Sequence, residues 1–483
     1  MLHKYRKRIL LFIILAGFGL RFYSAILAPI NYDEWNDLKV ARKISFDLKN
    51  PNLPLIDVRE NNNCPMSFYY IVKLGLYAFG DFLFGARLPF VILGTIMILL
   101  VYFFVKPVLG VRTALLSSLL LSISQFAISI SRFFDLGVIV MLISALSIFL
   151  FHRALVNNNR SLLLLNGLIV GIGFWFRESM CLLIPIYIIF LLSCREYRSW
   201  LKNKYVWISF GIAFCVMLPR IYLILSPGAT RIRYICNTVH TGISMGPFAL
   251  YLGELVLFIF KPFPGLFNHL ADTVNVDYMF TNFVVGILVF MAVIFSFKSR
   301  NNFIKLLLVC FISEFIFYSF IRSGNPDWGI FNFESFYYSI MGFIPAIILV
   351  ASMVVNFFKN YKFQGSLFLL VLVIFMVIRA CIFVTFPLNY FSPAKDFCIE
   401  ELLNCKGRSF RFEDNMPSDI EEDILKRVYK VTGSRLVYKE RSALQLAELL
   451  IQEDRIKESR KYLYYVLSQN PANRDALRLL GGQ

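Results

Sequence analysis

Carboxylates and arginines recur in this chain at the ends of apolar segments, where they could carry out proton transfer next to a bound anion. Asp33 and Glu34 adjoin in Asn31-Tyr32-Asp33-Glu34-Trp35, just past the first apolar run. A carboxylate is costly in hydrocarbon and cheap in water, so this pair belongs either to a solvated loop or to a site at the bilayer surface. Arg132 and Asp135 share a short connection between two later runs, and Arg177-Glu178 occupies another. Arg220, Arg231, Arg233, Glu314, Arg322, Glu334 and Arg379 fall near further segment ends. Any one of these arginines could simply pair with Asp135, Glu178, Glu314 or Glu334. Together they form a cationic set around acidic candidates, and Arg is suited to it because it stays charged and forks onto phosphate oxygens. The chemistry indicated is group transfer from a lipid phosphate. A base, Asp33 or Glu34, takes a proton from an acceptor hydroxyl while cations hold the leaving phosphate. Arg132, Arg177, Arg220, Arg322 and Arg379 are the candidate phosphate ligands.

The elements that must position these groups are membrane helices. Of 483 residues 58% are hydrophobic and 17% charged, against roughly 25% charged in soluble domains. Apolar runs of bilayer-spanning length, about 20 residues, recur through most of the sequence. The first, from Ile9 to about Ala28, follows Lys4, Arg6, Lys7 and Arg8 and lacks a small-x-small cleavage site, so it reads as a retained span. The net charge of +18 would suggest nucleic acid in a soluble protein. Here the positive-inside rule assigns much of it to one face: the N-terminus, Lys106 and Arg112, His152-Arg153 with Arg160, Arg195 to Lys204, Lys298 to Lys305, and Lys359 to Lys362.

Spans are expected near residues 9–28, 87–105, 113–131, 134–152, 161–176, 179–194, 204–225, 279–297, 303–322, 335–357 and 363–384. The expected architecture is therefore an all-α polytopic bundle of about eleven spans, with a cytoplasmic N-terminus and a non-cytoplasmic C-terminus. The apolar stretches Ser67–Phe84 and 248–275 read as interfacial helices on the outer side. Residues 29–86 and 226–278 form the long outer loops, and loops of that size in compact proteins are usually functional. Residues 1–384 make the membrane domain, 385–409 a linker, and 410–483 a soluble helical tail. In the tail, Leu446, Ala447, Leu450, Leu463, Val466 and Pro471 have the spacing either of one tetratricopeptide-like hairpin, which could serve a protein partner, or of a plain amphipathic hairpin capping the membrane domain. Cys398 and Cys405 could form a disulfide in an oxidising compartment. No cysteine–histidine pattern of zinc spacing occurs, and the need for a divalent cation stays open.

The sequence resembles the GT-C glycosyltransferases, in the branch of the protein O-mannosyltransferases and the aminoarabinose transferases of lipid A. Tyr32-Asp33-Glu34-Trp35 with Ala41-Arg42 is similar to that group's acidic first-loop motif. Asn63-Cys64-Pro65-Met66-Ser67-Phe68-Tyr69-Tyr70 resembles its His-Pro-Pro-Leu-Tyr-Tyr stretch, with Cys64 in place of His. Phe84-Gly85-Ala86-Arg87-Leu88-Pro89 is similar to its Ala-Leu-Arg-Leu-Pro entry to the second span, and Ser131-Arg132-Phe133-Phe134-Asp135 lies where it carries a second acidic residue. Arg177-Glu178 replaces a commoner Thr-Lys pair. The resemblance runs over roughly residues 10–225. It implies an inverting transferase of the bacterial inner membrane that takes a sugar from a polyprenyl-phosphate carrier to a glycan, lipid or protein acceptor on the non-cytoplasmic face. It also implies Asp33 as catalytic base with Glu34 beside it, and Asp135 as a second acidic member.

Two other classes compete. A transporter or lipid flippase would be expected to show an internal repeat and helices broken near the midplane, and neither is evident in the sequence. An O-antigen polymerase or ligase would carry its large outer loop late in the chain, whereas here the long loop comes first.

Overall fold

The computed structural model describes residues 2–27, 32–44, 66–81, 83–225, 239–241, 283–323 and 340–360, and parts of 373–380 and 443–481. The chain divides into two compact units, one of Met1–Ile26 with Asp37–Thr385 and the other of Leu27–Asn36 with Phe386–Gln483.

The larger unit is a helical bundle. Its helices are α1 (Leu2–Leu27), the later part of α2 (Tyr32–Lys43), α3 (Met66–Phe79), α4 (Leu83–Leu109), α5 (Val111–Ser122), α6 (Gln125–Arg132), α7 (Leu136–Val156) and α8 (Arg160–Phe176). Then come α9 (Leu183–Ser193), α10 (Lys204–Leu225), α11 (Phe283–Phe297), α12 (Asn302–Ser319) and α13 (Phe343–Asn360). Five of the described helices are long and apolar enough to cross a membrane, or six if the bent pair α5–α6 is a single span. Large apolar side chains such as Phe12, Phe214, Tyr222 and Phe290 are exposed on these helices, as expected where the surrounding solvent is lipid. The chain is a multi-pass membrane protein.

Most expected spans within the described residues coincide with helices, two differ in form, and the run 363–384 lies largely outside the described residues. The run 113–131 is two helices meeting at 55°. The run 179–194 begins with a 3-10 turn, Glu178–Leu182, before α9. Within the expected first loop, α2 and α3 are helical. Two three-residue strands, β1 (Val239–Thr241) and β2 (Ile321–Ser323), pair antiparallel with His240 opposite Arg322, a small addition to an otherwise helical fold. The apolar stretch 248–275, the linker 385–409, Cys398 and Cys405 lie outside the described residues.

Lipid gives apolar helices no hydrophobic reason to associate, so contacts depend on small residues and buried hydrogen bonds. The α8–α10 pair uses both. Gly167 lies against the backbone of Ser209 and Gly171 against Val216, so a Cβ at either position would collide. Ser209 Oγ donates to the Leu163 carbonyl at 2.6 Å. Between α7, α8 and α9 a buried network joins Ser147 Oγ to Asn166 Oδ1 at 2.7 Å and to the Tyr187 hydroxyl at 2.6 Å. The Tyr187 ring stacks on Phe151 with centroids 3.9 Å apart. Such a network fixes the rotation of three helices that apolar packing alone would leave loosely specified.

In the smaller unit, α14 (Ile456–Gln469) and α15 (Arg474–Gly481) close a small core with helical residues between 443 and 452. Leu446, Ala447, Leu450, Leu463 and Val466 are buried there. Ala447, Leu463 and Val466 lie in one cluster and Leu446 with Leu450 in a second, and Tyr462 packs against both. The buried Ser459 donates to the Ile456 carbonyl at 2.8 Å.

Candidate functional site at the helix junctions

Asp33 and Glu34 occupy the first turn of α2. Negative side chains are favoured there because the unpaired backbone N–H groups of a helix N-terminus carry partial positive charge. Glu34 is 2% exposed. The side chain of Asp33 lies outside the described set.

The second group is built on the junction between α6 and α7. Ser124 caps α6 by accepting from Ala127 N at 3.4 Å. Asp135 caps α7, its Oδ1 accepting from Gly137 N at 2.6 Å. This bond fixes the carboxylate at the start of α7. Arg132 is buried at the end of α6, with its guanidinium carbon 4.6 Å from the centre of the Phe133 ring. Arg87, in the first turns of α4, lies 5.3 Å from the same ring and donates Nη1 to the Ala25 carbonyl at 2.8 Å. Two buried guanidiniums thus share one aromatic ring. Ring quadrupole attraction offsets part of their desolvation, and an anion beside them would offset more.

The third group surrounds the turn after α8. Arg177 ends α8, its backbone N–H bonding the Gly173 carbonyl at 3.0 Å, and opens the 3-10 turn. The side chain of Arg177 is buried, and Arg220 of α10 donates Nη2 to Glu178 Oε1 at 3.1 Å. Trp175 Nε1 donates to the Val216 carbonyl at 2.8 Å, while Ser67 Oγ of α3 donates to the Trp175 carbonyl at 2.9 Å. The turn carrying Arg177 is therefore tied to α3 and α10 together. The buried Glu314 of α12 accepts from Met341 N at 2.9 Å and lies within electrostatic reach of Arg177.

The structure thus brings Arg132 together with Asp135 at one junction, and Arg177 with Arg220 through Glu178 at another. For Arg220 the expected alternative of a carboxylate partner is realised. Arg322 sits in β2 with its side chain outside the described set, and Arg379 lies outside the described residues altogether. Among the described residues no three His, Cys, Asp or Glu side chains cluster as a metal site would require.

Two arginines were not chosen from the sequence as candidates. Arg87 was visible as part of a motif. Arg21 was visible as a charge inside a span, which by itself calls for a partner.

Comparison with known proteins bears on this arrangement. Residues 63–223 match the family described as dolichyl-phosphate-mannose-protein mannosyltransferase. That segment runs from just before α3 to the last turn of α10 and includes Arg87, Arg132, Asp135, Arg177 and Arg220. A search of curated proteins finds no match. Among solved structures the fold is similar to ArnT from Cupriavidus metallidurans bound to undecaprenyl phosphate, at 14% identity and a TM-score of 0.51, covering 98% of this chain and 74% of that one. The apo form of ArnT gives 15% identity and a TM-score of 0.52, covering 98% and 76%. The archaeal oligosaccharyltransferase AglB from Archaeoglobus fulgidus, in complex with an inhibitory peptide and a dolichol-phosphate, gives 14% identity and a TM-score of 0.53. It is matched over 88% of this chain and 59% of its own length. At these identities the likeness to the solved structures is one of fold. Residues 63–223 thus carry the pattern of the dolichyl-phosphate-mannose-protein mannosyltransferase family within a fold similar to that of ArnT and AglB.

Proposed function

We propose that this protein is an inverting membrane glycosyltransferase. It takes a sugar from a polyprenyl-phosphate carrier and passes it to a hydroxyl acceptor on the non-cytoplasmic face of the bacterial inner membrane. The observation that carries this reading is the burial of Arg132 and Arg177 at helix ends, and of Arg220 in the last turns of α10, inside the family-matched segment. Guanidiniums gathered near segment ends suit an anionic ligand, because they stay charged and fork onto phosphate oxygens, and the ArnT structure contains undecaprenyl phosphate.

In the reaction, Asp33 accepts the proton of the acceptor hydroxyl as its oxygen attacks the anomeric carbon. The bond from that carbon to the phosphate oxygen breaks on the opposite face, which inverts the centre. The carrier phosphate leaves with the extra negative charge, and Arg132, Arg177 and Arg220 stabilise it there, with Arg322 and Arg379 as further ligands. Glu34 shapes the field around Asp33, and Asp135 orients the donor or acceptor from the start of α7. The acceptor is a glycan, a lipid or a protein.

The test compares a deletion strain complemented with the parent protein or with Asp33→Asn. Loss of the base should lower turnover by orders of magnitude. The variant should insert and fold normally while unused lipid-linked sugar accumulates as in the deletion. Full complementation by Asp33→Asn would remove Asp33 as the base.

A further inference from the structure

The structure assigns Arg21 the role of a positioning residue that acts through the break between α5 and α6 on the Arg132–Asp135 junction. Arg21 lies in the first span and is fully buried. Its Nη1 donates to the Gly17 carbonyl of its own helix at 2.9 Å and to the Ser122 carbonyl at 3.0 Å. Its Nη2 donates to the Leu121 carbonyl at 3.1 Å. Leu121 and Ser122 are the last residues of α5, so their carbonyls would ordinarily accept from N–H groups four residues on. The bend at Ile123 and Ser124 removes those donors, and Ser124 begins a new cap instead. In hydrocarbon each carbonyl left unpaired is costly, and a broken helix persists only where something else satisfies it. Arg21 is that donor.

The consequence reaches the site because α6 is only two turns long. Its other end is Arg132, and Ser131 beside it is seated against Gly94 of α4, where a Cβ would collide with Ser131 Oγ and fall 3.1 Å from Arg21 Nε. The guanidinium thus holds the end of α5 from which α6 departs, and it lies beside Gly94, the residue against which Ser131 is seated at the far end of α6. A planar fork with several donors can hold two adjacent carbonyls at once. A neutral amide cannot match that reach, and a lysine does so only in part. Arg21 need not touch carrier or sugar for this. It sets the angle at which α6 delivers Arg132, and α7 delivers Asp135.

This role rests on the proposed reading of Arg132 as a carrier-phosphate ligand, and the test separates the two. The full-length protein is placed in nanodiscs, and binding of undecaprenyl phosphate is measured for Arg21→Gln, Arg21→Lys, Arg132→Ala and the Arg21→Gln/Arg132→Ala double variant. Arg21→Gln should weaken binding about tenfold, Arg21→Lys should recover most of it, and the double variant should bind no worse than Arg132→Ala, as expected for residues acting in series. Parent-strength binding by Arg21→Gln, no recovery with Lys, or additive losses overturn the role. Arg132→Ala binding like the parent defeats the phosphate reading at that residue. A loss seen with Arg21→Gln alone would then overturn the coupling as well. Should Arg21→Gln fail to fold, Gly94→Ala crowds Ser131, and more mildly Arg21 Nε, while keeping the guanidinium. It should show the same loss and the same non-additivity with Arg132→Ala, and parent-strength binding in that variant overturns the role.

Discussion

Arg220 of α10 donates to Glu178, the first residue of the 3-10 turn after α8, at 3.1 Å. The contact spans 42 residues of sequence and joins the ends of the two helices already drawn together by Gly167 and Gly171. It also sets Arg220 beside a chain neighbour of Arg177, so the pair organises one end of the candidate phosphate site. If Arg220 contacts the donor phosphate in the ground state, Arg220→Ala should raise the apparent KM for the lipid-linked donor about tenfold with a smaller change in kcat. The carboxylate left without its partner should lower stability by about 1–3 kcal/mol. Steady-state kinetics with donor varied, together with thermal unfolding in detergent, check both. An unchanged KM would leave Arg220 a structural residue.

Asp135 has two assigned roles, and substitution separates them. As the N-cap of α7 it accepts from Gly137 N, a role Asn fills and Ala does not. Asp135→Ala should lower stability by about 1 kcal/mol, whereas Asp135→Asn should unfold close to the parent temperature. If the charge of Asp135 orients donor or acceptor, both variants should lose turnover. Parent-level turnover in Asp135→Asn would reduce Asp135 to a cap.

The α8–α10 contact is unforgiving. A methyl group at Gly167 would meet the Ser209 carbonyl oxygen well inside contact distance, whereas nothing lies within 4 Å of one at Gly19. Gly167→Ala should force the helices apart and destabilise by about 2 kcal/mol or more. Gly19→Ala should leave stability within about 0.5 kcal/mol of the parent. Paired thermal melts in one detergent decide this, and equal melting temperatures would refute the close approach.

Sidedness is tested apart from chemistry. If the number of spans is odd, as expected from the distribution of Lys and Arg, a reporter fused after Gln483 should read as non-cytoplasmic. A cytoplasmic reading would require an even number and would reverse the face assigned to the tail.

Much of the architecture was legible from hydropathy. The run 204–225 is α10 end to end, and 161–176 differs from α8 by one residue. Asp135 and Arg177 were legible as segment-end residues, because an ionised group is driven out of apolar runs. What the run of residues 113–131 concealed was its break. Ser122, Ile123 and Ser124 lie in an apolar stretch long enough to span, and hydropathy sums over such a stretch without recording where its backbone bonds go.

The sequence by itself determined that this chain lies in a membrane, where most of its helices begin and end, and which carboxylates and arginines stand at their ends. Those properties depend on local transfer free energies, which add along the chain. Tertiary structure alone decided that Arg220 meets Glu178, that Arg87 and Arg132 share the Phe133 ring, and that Arg21 satisfies the carbonyls at the α5–α6 break. Arg21 and Ser122 are 101 residues apart. The bend is affordable only because that distant guanidinium supplies the hydrogen bonds which hydrocarbon cannot, and no local property of residues 113–131 contains it.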